Sequence, residues 1–174
     1  MPPPAAESLR LGKELQALGA RVFSLRSVRE QMRYDVARII VEAGKPFQII
    51  FENADMMPHN VAIVEPGARQ EIGAKADAMP AVPDRRGRLF VPDDRRILAA
   101  TAMVEPGRAE RLKLTAPRKP GNYEYVCTYP DHWKTMYGQL VVVEDLEAYW
   151  KSTEAVQAPP QPAALAHEKH SSGK

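Results

Sequence analysis

The stretch GNYEYVCTYPDHWKTMYGQLVVV, residues 121–143, carries the pattern that decides the fold. In its first part Tyr123, Tyr125 and Cys127 stand two residues apart, as do side chains on one face of a strand. Pro130 then favours a turn, and Met136 stands where a second apolar run begins. The stretch therefore predicts two strands joined by a short loop that begins at Cys127.

Similar short runs occur along the chain from Arg21 to Glu144. The alternating sets are Phe47, Ile49 and Phe51; Val61 and Ile63; and Leu112 and Leu114. Turn-forming segments with Pro and Gly separate the runs, at Glu42–Pro46, Glu65–Gly67, Glu105–Gly107 and Lys119–Gly121. Many short strands punctuated in this way are typical of an all-β sandwich, and this is the fold class that we predict.

Three segments lie outside the strand pattern. Leucines at helical spacing, ending at Gly19, predict a short amphipathic helix over Glu7–Leu18. An Ala-rich, charged segment followed by three prolines, over Gln70–Pro92, predicts a helical excursion between strands. The third segment is the C-terminal tail, residues 149–174, which we expect to be disordered. The chain then divides into an N-terminal extension over residues 1–20, a sandwich domain over 21–148 and this tail.

The composition excludes several classes of function. Among 174 residues, 24 are Lys or Arg and 22 are Asp or Glu, a balance without the basic excess of a nucleic-acid-binding protein. No apolar run is long enough to cross a membrane as a helix. The single cysteine rules out an internal disulfide and any site built from several cysteines. The first 20 residues lack the features of a secretion signal, so we expect a cytosolic protein or a mature or excised chain.

Four side chains form the candidate metal site. Cys127, His132 and Met136 supply a thiolate, an imidazole and a thioether from one loop, and such soft ligands favour copper over magnesium or calcium. His59 precedes an alternating run and is the one other histidine within the β region. Two histidines, a cysteine and a weak axial methionine are the ligand set of blue-copper electron-transfer sites.

The spacing Cys-x4-His-x3-Met resembles the type 1 copper loop of the cupredoxins, in particular that of azurin and auracyanin, and Met-Pro-His-Asn resembles the same family's first-histidine motif. The resemblance covers about residues 21–144 and implies a cupredoxin-like Greek-key β-sandwich that binds one Cu(I)/Cu(II) ion. It implies His59, Cys127 and His132 as the strong ligands and Met136 as the axial one.

The resemblance also assigns neighbours of the ligands. It implies that the Asn60 side chain ties the two ligand loops together near Thr128. It further implies that the backbone N–H groups of Asn60 and Tyr129 point at the sulfur of Cys127. Two positions depart from the family pattern: Pro58 replaces a glycine of azurin, and Asp131 stands where glycine is common. We expect Asp131 to alter partner preference more than metal affinity.

The function implied is one-electron transfer without substrate chemistry. His132 is then the electron port, framed by an apolar docking patch of Met57, Pro58, Pro130 and Trp133. The implied partners are redox proteins such as a cytochrome or a dehydrogenase domain, with no nucleic acid and no membrane span. The implied location is the periplasm or another exported compartment.

Three alternatives stay open at this stage. The chain could be the electron-entry domain excised from a larger multidomain oxidoreductase. Cys127 could instead be a catalytic nucleophile with His59 or His132 as its base. Finally, the chain could be a structural β-sandwich whose metal site is vestigial.

Overall fold

The computed structural model describes residues 21–157, which form a two-layer sandwich with two short helices. The strands are β1 (Val22–Val28), β2 (Arg33–Tyr34), β3 (Arg38–Glu42), β4 (Pro46–Glu52), β5 (Ala62–Val64), β6 (Ile97–Ala100), β7 (Ala109–Thr115), β8 (Gly121–Val126) and β9 (Tyr137–Val143). The helical segments are α1 (Arg69–Asp77), a 3-10 turn (His132–Lys134) and α2 (Leu146–Gln157).

The chain crosses repeatedly between the two sheets. One sheet has the order β2-β1-β4-β7 and the other has the order β3-β9-β8-β5-β6. Strands β1 and β4 run parallel, as do β3 and β9, whereas the remaining neighbours are antiparallel. The fold class predicted from the sequence, an all-β sandwich of the Greek-key type, is confirmed.

The core between the sheets contains the alternating side chains that the sequence predicts. Phe47, Ile49 and Phe51 of β4 pack in one buried cluster with Tyr123 and Tyr125 of β8. Burying such apolar side chains stabilises the fold by about 1.5–3 kcal/mol each. Cys127 and Met136 belong to the same cluster, so the candidate metal site lies at an end of the core itself.

The predicted turns and excursion are also confirmed. Gly44, Gly67 and Gly107 have φ values of 73°, 76° and 76°, the left-handed region that turns of this kind need. Between β5 and β6 the chain forms α1 and then an irregular segment that begins after Ala78 and continues to β6. The excursion therefore leaves the sandwich and returns to the edge of the same sheet.

At the C-terminal end, helix α2 continues to Gln157. The rest of the segment 149–174 that we predicted to be a disordered tail, residues 158–174, lies outside the described residues. The first turn of α2 is capped, because Asp145 Oδ1 accepts the backbone N–H of Ala148 at 2.9 Å, and Leu146 is buried. The helix predicted over Glu7–Leu18 lies outside the described residues. Among the described residues, the helices are too short or too polar to span a bilayer.

Candidate metal centre

Three donor atoms meet at one end of the sandwich. His59 lies between β4 and β5, Cys127 directly follows β8, and His132 begins the 3-10 turn. The two Nδ1 atoms of His59 and His132 are 3.2 Å apart, and they lie 3.8 Å and 3.6 Å from Cys127 Sγ. All three side chains are buried. The structure thus brings His59 together with Cys127 and His132, which lie 68 and 73 positions later in the chain.

The spacing of these atoms fits a metal ion. Bonds of about 2.0 Å to nitrogen and about 2.3 Å to sulfur, at roughly 120°, separate two nitrogens by about 3.5 Å and nitrogen from sulfur by about 3.7 Å. The observed separations of 3.2, 3.6 and 3.8 Å lie close to these values. A trigonal N₂S centre fits here with small adjustments of the side chains.

Met136 is placed beside the three donors by its backbone. Its carbonyl accepts the N–H of Cys127 at 3.0 Å, and its own N–H donates to the carbonyl of His132 at 2.8 Å. The side chain is fully buried in the same core cluster as Cys127. The backbone bonds therefore hold Met136 close to Cys127 and His132 in the buried end of the core.

The loop that carries His59 is held on both sides of that residue. His59 and Val104 form an isolated β-bridge, with His59 N–H donating to Val104 O at 3.2 Å and Val104 N–H returning to His59 O at 2.7 Å. On the ring, Nε2 lies 2.8 Å from Asp55 Oδ2. Sequence reasoning missed Asp55, although an acidic residue four positions before a candidate ligand was the available signal.

Asn60 and Thr128 link the two ligand loops, as the sequence resemblance implies. The Asn60 side chain donates to Thr128 Oγ1 at 2.8 Å and accepts the backbone N–H of Thr128 at 2.7 Å. The Tyr34 hydroxyl donates to the carbonyl of Asn60 at 2.6 Å. These buried bonds fix the distance between the His59 loop and the Cys127 loop.

Burial controls the protonation of the candidate ligands. It raises the pKa of the Cys127 thiol to about 12, even though the N–H groups of Asn60 and Tyr129 donate to the sulfur and oppose that rise. Burial, and then the proximity of His59, lower the pKa of His132 to about 4. A buried, protonated thiol argues against the alternative in which Cys127 is a catalytic nucleophile.

His132, which we predicted to be the electron port, is buried, since only 2% of it is exposed. The ring of Tyr129 lies 4.7 Å from that of His132, and Phe90, from the excursion, contacts Tyr129 edge-on at 5.6 Å. Of the predicted docking patch, Met57 is exposed, whereas Pro58 and Pro130 are half-buried.

Trp133, the remaining member of the predicted patch, packs against α1. Its indole Nε1–H donates to Asp77 Oδ2 at 2.9 Å, and its carbonyl accepts a bond from Arg69 Nη1 at 2.7 Å. Asp77 also accepts, through Oδ1, the N–H of Asp131 at 2.7 Å. The excursion, which the sequence left without a role, thus holds the segment on both sides of His132.

Comparisons with known proteins agree with one another and with the candidate metal site. The family model described as copper binding proteins of the plastocyanin/azurin family matches residues 22–143. Auracyanin-A of Chloroflexus aurantiacus is 28% identical over 126 residues, which cover 71% of this chain and 75% of that protein. Azurin iso-2 of Methylomonas sp. strain J is also 28% identical over 126 residues, covering 66% and 92%.

Solved structures show the same similarity. The structure of reduced auracyanin from Roseiflexus castenholzii is 33% identical and superimposes with a TM-score of 0.62, covering 71% of this chain and 98% of that one. Auracyanin A of Chloroflexus aurantiacus, described as a "blue" copper protein, is 28% identical with a TM-score of 0.63, covering 72% and 100%.

Proposed function

Because the chain belongs to the plastocyanin/azurin family of copper-binding proteins, we propose that it carries one electron at a time on a single copper ion. The proposed ligands are His59, Cys127, His132 and Met136. The observation that carries this proposal is the meeting of two Nδ1 atoms and one Sγ atom within 3.2–3.8 Å of one another in a buried site.

The protein's contribution is to hold these donors in place. Bound copper supplies a one-electron change between Cu(I) and Cu(II). Cys127 is held through its N–H bond to Met136, and its loop is held by the side chain of Asn60. Because these buried bonds do not involve the metal, the donors need to move little when the charge at the site changes.

We assign different roles to the four ligands. His59, Cys127 and His132 would hold copper strongly, and Cys127 would give up its proton in doing so. Met136 would hold it weakly, as a ligand that tunes the reduction potential. The N–H groups of Asn60 and Tyr129, which donate to the sulfur, favour the thiolate form of Cys127.

Electrons enter and leave, in this proposal, through His132 and the ring of Tyr129 that lies against it. The exposed Met57 and the half-buried Pro58 and Pro130 provide an apolar surface beside this exit, suited to brief docking. The proposed partners are redox proteins such as a cytochrome or a dehydrogenase domain. An exported or periplasmic location agrees with the family resemblance.

A visible absorption spectrum tests the proposal. We expect the metal-free protein to take up one Cu(II) and turn intensely blue, and the colour to bleach with ascorbate and return on reoxidation. Cys127→Ser is the control, because it keeps the fold while removing the sulfur that gives the colour. A wild-type protein that binds copper but stays colourless would contradict the proposal.

A further inference from the structure

The carboxylate of Asp55 makes three hydrogen bonds from a buried position beside the candidate site. Its Oδ2 lies 2.8 Å from Nε2 of His59. Its Oδ1 accepts the backbone N–H of Glu30 at 3.0 Å and that of Met56 at 2.8 Å. Only 8% of Asp55 is exposed. The metal-binding family resemblance assigns no role to this carboxylate.

The contacts of Asp55 determine which nitrogen of His59 carries a proton. Oδ1 of Asp55 accepts two backbone N–H groups, and a carboxylate that accepts several such bonds is held in its ionised form. An ionised carboxylate only accepts hydrogen bonds, so Nε2 of His59 must donate to it. The proton on Nε2 leaves Nδ1, which faces Cys127, as the ring nitrogen that can bind a metal.

We propose that Asp55 is a positioning residue of the copper site, which fixes the proton and the rotation of the His59 ring and places a negative charge behind it. This role rests on the proposed function. Histidine ligands commonly donate their second ring N–H to such a partner, which orients the ring and makes it a better ligand. A negative charge at this place also favours the more positive, oxidised ion and so lowers the reduction potential.

The carboxylate is anchored independently of the histidine. Asn53 Oδ1 accepts the backbone N–H of Asp55 at 2.9 Å, and the amide of Asn53 donates to Met57 O at 2.7 Å. The bond from Glu30 ties Asp55 to the turn between β1 and β2, where Glu30 itself has a φ of 59°. Asp55 is therefore held by two loops and cannot simply follow the ring.

An amide cannot replace this carboxylate without losing a contact. An asparagine side chain carries one acceptor oxygen and one NH₂ group, whereas the site offers N–H donors to both oxygens of Asp55. In one orientation of the substituted side chain the NH₂ group faces Nε2 of His59, and in the other it faces two backbone N–H groups. Asp55→Asn therefore removes the charge and disturbs the hydrogen bonds while changing the volume little.

The test compares Asp55→Asn with Asp84→Asn in the full chain. Asp84 is a matched control because it also accepts two backbone N–H groups and one side-chain N–H, from Arg86 and Arg88, and contacts no proposed ligand. For Asp55→Asn we expect Cu(II) affinity to fall roughly 10- to 100-fold and the reduction potential to rise. For Asp84→Asn we expect both quantities to equal those of the wild type.

A folded Asp55→Asn protein with wild-type affinity and potential would overturn the proposal. Loss of copper binding with retained far-UV circular dichroism, in this variant alone, would support it. If the wild-type protein never turns blue with copper, the proposed function is refuted instead. This outcome is seen before any variant is made.

A measurement on the metal-free wild type covers the case in which the variant does not fold. Long-range ¹H–¹⁵N correlation spectra distinguish the two ring nitrogens of His59. We expect a proton on Nε2 that exchanges slowly with solvent. A neutral ring with its proton on Nδ1 and none on Nε2 would overturn the proposal without any substitution.

Discussion

At the scale of single residues, burial sets the protonation of Cys127 and His132. The thiol of Cys127 is protonated at neutral pH, because its pKa is raised to about 12, and His132 is neutral, because its pKa is lowered to about 4. The sulfur is thus unreactive until copper displaces its proton. The same burial makes the cysteine a poor nucleophile in the absence of a metal.

Copper uptake should release about one proton from Cys127 at about pH 8. The thiolate is the binding form and its metal-free pKa is about 12, so protons compete with copper throughout the range below that value. Apparent affinity should therefore rise about tenfold for each unit by which the pH increases near neutrality. Calorimetry in two buffers of different ionisation enthalpy measures the proton release, and Cys127→Ser should not show it. Proton-free uptake by the wild type would contradict this expectation.

Met136→Gln should keep the blue colour and lower the reduction potential. A side-chain oxygen is a harder donor than the thioether and stabilises the oxidised ion more. Voltammetry of the two proteins, with absorption spectra as a check on the site, measures the difference. An unchanged potential would argue against axial binding by the buried Met136.

At the scale of elements, α1 explains two residues of the ligand loop. Asp131 has a φ of 70°, a left-handed conformation that accounts for the family's preference for glycine there. Asp77 of α1 accepts the N–H of Asp131 and the indole N–H of Trp133. Gly73, also on α1, lies directly against the indole of Trp133. The helix therefore restrains the loop on both sides of the ligand His132.

Gly73→Ala should destabilise the protein. A Gly to Ala change inside a helix ordinarily stabilises by roughly 0.5–1 kcal/mol. Here the new Cβ would stand 2.2 Å from Cγ of Trp133, and overpacking of that kind typically costs about 1–3 kcal/mol. We expect the steric term to dominate, and urea unfolding of the metal-free protein measures the balance.

A double-mutant cycle isolates the contact between Gly73 and Trp133. In a Trp133→Ala background the obstruction is gone, so Gly73→Ala should become neutral or stabilising. If the substitution costs the same free energy in both backgrounds, α1 does not restrain the loop through the indole.

At the scale of the whole molecule, the sandwich and hydrogen bonds that do not involve a metal hold the parts of the site together. The donors come from two separate segments, the His59 loop and the loop from Cys127 to Met136, which the two sheets bring to one end of the core. Hydrogen bonds between Asn60 and Thr128, and between Cys127 and Met136, complete the arrangement. Such a site differs from a small zinc-binding domain, in which the metal supplies the folding free energy.

Removing copper should therefore leave the fold intact. We expect the metal-free and copper-loaded proteins to share the same far-UV circular dichroism, and the Thr128 amide to be protected from hydrogen exchange in both. Copper should raise the melting temperature, because it binds the folded form. Unfolding of the protein on treatment with a chelator would show that the site is not built in advance.

The sequence by itself determined the fold class and the types and spacing of the metal ligands. Alternating residues such as Phe47, Ile49 and Phe51 encode a buried strand face within a few consecutive positions, and Cys127, His132 and Met136 lie on one short loop. Local patterns of this kind need no knowledge of distant contacts, which is why they could be predicted.

Only the tertiary structure decided what surrounds those ligands. The bond from Glu30 to Asp55 spans 25 positions, and the bond from Trp133 to Asp77 spans 56. Both partners of each pair lie in turns, loops or helix ends without periodicity, so nothing in the neighbouring residues indicates the contact. The contact of Phe90 with Tyr129, whose ring lies against that of His132, has the same origin, because Phe90 comes from a distant segment of the chain.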